Sequence, residues 1–75
     1  MRESLVYRIK VQGELPESWS DRLQGMSIKV DSLDGNVPVS ILEGPLRDQA
    51  ALSGLLNTLY EMHYPVLSVE RVKQP

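Results

Sequence analysis

Arg47 and Asp48 stand in the stretch GPLRDQAALSGLLNTL, residues 44–59, where a Gly-Pro break runs into a periodic apolar segment. The first turn of a helix starting there presents backbone N–H groups with no helical acceptor. Those amides, together with the Arg47 guanidinium, could hold a phosphate or a carboxylate. Asp48 competes for the same amides. As N-cap its carboxylate accepts their hydrogen bonds, contributes about 1 kcal/mol and repels an external anion. No Gly-rich cradle or Lys accompanies the stretch, so capping is the favoured reading, with a small anionic metabolite at the helix start as the alternative.

The remaining chemistry-bearing residues point away from catalysis. His63 is the single imidazole, set at the end of the same segment, and no neighbouring motif supplies an orienting acid and a nucleophile. Asp31 and Asp34 flank a turn but lack the oxygen ligands and following Glu of a calcium loop, so they read as turn formers. Cysteine is absent, which removes disulfides, thiolate metal sites and thiol catalysis. The expectation is a protein that is not an enzyme and carries no cofactor and no metal.

The chain has 75 residues, a length expected to form one small domain spanning 1–75 with little stability to spare. Ten acidic and eight basic residues are mixed along it for a formal charge of -2, so no global field attracts nucleic acid or anionic lipid. With no Phe and one Trp, the core must be built from Leu, Val and Ile. MRESLVYRIK alternates apolar with charged residues and does not resemble a signal peptide, and no run reaches membrane-spanning length. A soluble, cytoplasmic protein is expected.

Five segments organise the chain. LVYRIKV, residues 5–11, puts Leu5, Tyr7, Ile9 and Val11 on one face of a strand and Val6, Arg8 and Lys10 on the other. ELPESWSDRLQG carries Leu15, Trp19 and Leu23 at i, i+4, i+8 between Pro16 and Gly25, the punctuation of a short helix held against the sheet by Trp19 and Leu23. Residues 26–44 read as a hairpin: Ile28 and Val30 lead to a turn at Leu33-Asp34-Gly35-Asn36, and Val37, Val39 and Ile41 return, with Pro38 near the strand start. Ala51, Leu52, Leu55, Leu56, Leu59 and Met62 form an apolar stripe, which predicts a helix over about 48–62 closed by Pro65. VLSVERV, residues 66–72, is a final strand. The order βαββαβ predicts an α+β, ferredoxin-like sandwich: an antiparallel four-stranded sheet packed on one main helix, with a short or irregular first helix. If the first helix is a loop, the order becomes βββαβ.

LVYRIKVQGEL, SWSDRLQGM, LEGPLRDQAALSGLLNTLYE and PVLSVERV, in that order and covering almost the whole chain, resemble a family of small stand-alone bacterial proteins. Its pattern is W-S, then L-x-G-P-x-x-D-Q-A-x-L-x-G-L-L, then L-S-V. The resemblance implies no activity and no catalytic residue. Relatives tend to have aromatic-Gly-Gly after the Trp-Ser segment, whereas this chain has Leu23-Gln24-Gly25, leaving Trp19 as the only aromatic there. KVQGELPESW also resembles, faintly, the phosphate loop of acylphosphatases, but it lacks the arginine that would bind the acyl phosphate, and Arg22 is too far along.

The outer face of the main helix suggests a different role. Gln49, Ser53, Asn57 and Glu61 form an i+4 row flanked by Gly54, Thr58 and Tyr60, and no charge stands between Asp48 and Glu61. Solvent-facing helices usually carry Lys, Arg and Glu, so this face suits contact with a partner, although a merely polar surface has the same composition. Gly54 costs about 1 kcal/mol relative to Ala, a cost that close packing against something would explain. Trp19 is either a partner anchor or a plug under the short helix. On the uncovered sheet face, Arg8, Lys10, Lys29, Ser40 and Glu70 are expected, with Val6, Leu42 and Val72 as apolar additions. Such a basic spot without aromatics is a weak nucleic-acid signal, and the open face could instead join two copies. The sequence therefore predicts a non-catalytic protein-interaction or regulatory module. Gln49, Ser53, Asn57, Tyr60, Trp19 and Arg47 are its candidate contact residues. The partner is a protein or a second copy in a homodimer, with no nucleic acid and no membrane.

Overall fold

The computed structural model describes residues 5–31 and 37–72. The strands are β1 (Leu5–Gln12), β2 (Ser27–Asp31), β3 (Val39–Leu46) and β4 (Val66–Val72), and the main helix is α1 (Gln49–Glu61). They form a four-stranded antiparallel sheet in the order β2-β3-β1-β4 with one main helix. A 3₁₀ helix, Glu17–Leu23, connects β1 to β2, and α1 connects β3 to β4. The turn expected at residues 33–36, with Asp34, lies outside the described residues.

Alternation in β1 works as its residue types dictate: Tyr7, Ile9 and Val11 are buried, while Val6, Arg8 and Lys10 stand half-buried on the opposite face. In β3 the faces are the reverse of those expected from its valines. Register pairs Ile9 with Leu42 and Val11 with Ser40, so Leu42 and Ser40 enter the core and Val39 and Ile41 take the uncovered face. Ser40 and Leu42, placed on the open face by the sequence reading, are both fully buried. A serine can sit there because its hydroxyl accepts from Leu15 N–H at 2.8 Å and donates to the Gly13 carbonyl at 2.6 Å. Val30 is paired with Ser40 and so shares the core side, yet it remains 44% exposed at the sheet edge. Pro38 precedes β3, and Pro45 lies beyond the last residue of β3 that β2 pairs, where its missing N–H interrupts no ladder bond on that side.

The first helix is 3₁₀ rather than α. Its coil rises about 2.0 Å per residue against about 1.5 Å in an α-helix, so the same seven residues reach further across the sheet between the anchors Leu15 and Leu23. Ser20 Oγ closes its end by donating to the Met26 carbonyl at 2.7 Å. Leu15, Leu23, Met26, Ile28, Leu46, Leu55 and Leu59 join the β1 residues and Leu42 in one buried cluster, with Trp19, Ala51, Leu52, Leu56 and Tyr64 packed around it.

α1 starts where Asp48 caps it, accepting from Ala51 N–H at 2.9 Å. It ends before Pro65 can act. His63 adopts φ 68°, its N–H donates to the Tyr60 carbonyl and the Tyr64 N–H to that of Leu59, the Schellman pattern with histidine where glycine usually stands.

Candidate interaction surface

Gln49, Ser53, Asn57 and Tyr60 are exposed on α1, and at about 100° per residue they fall within an arc of about 80°. Tyr60 is 79% exposed, a large area for an aromatic ring. Gly54 meets nothing within 4 Å where a Cβ would be, so packing inside the domain does not account for it. At the C-terminal end of α1, Tyr60, Glu61, His63, Tyr64 and Pro65 line a mostly apolar groove of about 440 Å³. Trp19 lies behind it, half-buried, its ring meeting Tyr64 edge to face at 6.2 Å between centroids. Tyr64 is further fixed by its hydroxyl, which donates to the Glu14 carbonyl at 3.2 Å.

Arg47 stands off the helix itself, just before its cap and two residues from Gln49, about 20 Å along α1 from the groove at Tyr60. It lines a polar groove of about 550 Å³ with Gln24, Pro45, Leu46, Asp48 and Ala51. The Asp48 carboxylate already occupies the Ala51 amide there. Trp19 is packed against the core, so of the six candidate residues four share a face and two are placed elsewhere.

The uncovered sheet face is balanced in charge. Arg8 pairs with Glu43 at 3.2 Å and with Glu70 at 3.5 Å, an arrangement the register enforces by setting Arg8 opposite both carboxylates. The Val6–Val72 pair lies on the same face.

Sequence reasoning missed the outer margin of β4. Leu67 and Val69 are 52% and 41% exposed, so α1, which packs against β3 and β4, leaves the last strand partly uncovered.

A protein-family model described as "Domain of unknown function (DUF8691)" matches residues 6–70. The chain belongs to the DUF8691 family. The match runs from β1 into β4, so every element of the DUF8691 fold described above falls at least partly within it. No curated protein and no solved structure matches the chain. Among the described residues of this DUF8691 member, no group of three or more His, Asp or Glu could hold a metal ion, and no helix is long and apolar enough to cross a membrane.

Proposed function

We propose that this chain is a small non-catalytic protein-interaction module, bacterial and cytoplasmic, that binds a protein partner through the outer face of α1. One observation carries the reading: a helix face without charge from Gln49 to Tyr60, fully presented to the outside and ending on the exposed Tyr60 ring beside an apolar groove. Aromatic anchors beside adaptable polar groups are what protein interfaces concentrate. The proposed architecture is a ferredoxin-like sandwich with a reduced first helix, a reading supported by the strand order and by the two helical connections.

The test is affinity purification from the native cells of the tagged wild type beside Ser53→Lys/Asn57→Glu. Both substitutions lie on exposed positions, so the double variant folds with nearly unchanged stability. A protein retained by the wild type and lost from the folded variant supports the reading, and its retention by both removes it. The second reading, an anionic metabolite at Arg47, rests on the polar groove at the start of α1. It requires amide shifts over residues 46–51 on adding phosphate, which the interaction module does not produce.

A further inference from the structure

The two edges of the sheet differ in how they are protected. β2 has five residues and carries an exposed Lys29, the short charged edge that discourages strand addition. β4 is longer, at seven residues without Lys or Pro; it carries Glu70 and Arg71, shifts register against β1 at Leu67, exposes Leu67 and Val69, and has no described strand on its outer side.

Backbone alternation shows what that edge offers. Gln12 N–H donates to Pro65 on the β4 side and Gly13 N–H to Pro38 on the β3 side. Even-numbered residues of β1 therefore aim at β4, the Arg8–Glu70 and Val6–Val72 pairs close the inner ladder, and Val69 and Arg71 turn their N–H and C=O groups outward.

An antiparallel two-fold pairing of this strand with itself has three compact registers. Centring on Ser68 sets Arg71 against Pro65, which has no N–H and whose carbonyl already accepts from Gln12. Centring on Glu70 opposes two carboxylates. Centring on Val69 avoids both. It lets Val69 exchange two hydrogen bonds with its own copy, lays the aliphatic stem of Arg71 over Leu67, and sets the Ser68 hydroxyl opposite Glu70.

We propose that β4 pairs antiparallel with β4 of a second copy, with Val69 on the two-fold axis, joining two four-stranded sheets into one. The contact is isologous and closed, so it yields a dimer and no fibre. It uses a surface apart from the outer face of α1 and is independent of the partner assigned to that face.

Sedimentation equilibrium of the wild type, Val69→Lys and Val30→Lys tests it. The wild type and Val30→Lys, altered at the opposite edge, give twice the 8.5 kDa chain mass, while Val69→Lys gives the single mass with an unchanged circular dichroism spectrum. Amide hydrogen exchange on the wild type supplies a readout that needs no variant: Val69 and Arg71 amides are protected at dimer concentrations and lose protection on dilution, whereas Glu70 stays protected. A wild type that remains monomeric up to about 1 mM overturns the proposal. So does a dimer that survives Val69→Lys, or one whose Val69 amide exchanges freely.

Discussion

The Ser40 hydroxyl and the Leu15 amide, 25 residues apart in the chain, meet at 2.8 Å inside the core. With its second bond, to the Gly13 carbonyl, this one side chain ties the segment leaving β1 to the central strand β3. Ser40→Ala strips both backbone groups of their partner, at about 1–3 kcal/mol for the buried Leu15 amide, the Gly13 carbonyl being only partly buried. For a domain this small the expected fall in melting temperature is roughly 10–20 °C, and a thermal unfolding curve within a few degrees of wild type contradicts the assignment.

Two glycine-to-alanine substitutions are expected to act with opposite signs. At Gly13, φ is 120° and a Cβ would lie 2.8 Å from the Tyr64 ring, so Gly13→Ala destabilises by strain and by displacing Tyr64. At Gly54 the space is open and the backbone helical, so Gly54→Ala stabilises by about 0.8–1 kcal/mol. Urea unfolding midpoints decide both.

His63 holds the left-handed position that ends α1 without the freedom of glycine. His63→Gly removes the clash of Cβ with the following carbonyl and is expected to add about 0.5–1 kcal/mol. A lowered unfolding midpoint would show that the imidazole itself supports the helix end.

Arg8 is bound to two carboxylates, but all three side chains are partly open to water. Exposed ion pairs contribute about 0–1 kcal/mol, so Arg8→Met changes stability by less than about 1 kcal/mol. Glu43 and Glu70 offset the Arg8 charge on this face, and the chain as a whole carries a formal charge of -2. Salt-dependent retention of the protein on a heparin or DNA column is therefore not expected, and its observation would refute this account.

The local elements were legible because each is written in short-range chemistry. The apolar stripe from Ala51 to Met62 and the Asp48 cap place α1 within a residue of its observed bounds, and the strand 66–72 has the limits that its alternation and the preceding proline suggest. The exposed helix row of Gln49, Ser53, Asn57 and Tyr60 was legible for the same reason, since helical period alone puts those residues on one side. The 3₁₀ form of residues 17–23 was not legible, because Leu15, Trp19 and Leu23 satisfy an α-helical spacing while the distance to be spanned is set by other strands.

By itself the amino-acid sequence determined the number, order and type of the β-strands, the main helix and its cap, and an uncharged outer face. All of these follow from the period of side chains and from capping within a few residues. Tertiary structure alone decided that Ser40 and Leu42 turn inward while Val39 and Ile41 turn outward, because a strand's facing depends on its partner's register and a shift of one residue reverses it. It also decided that Leu67 and Val69 stay exposed. Whether an apolar residue is covered depends on how far one helix reaches across four strands, a distance that no local pattern records.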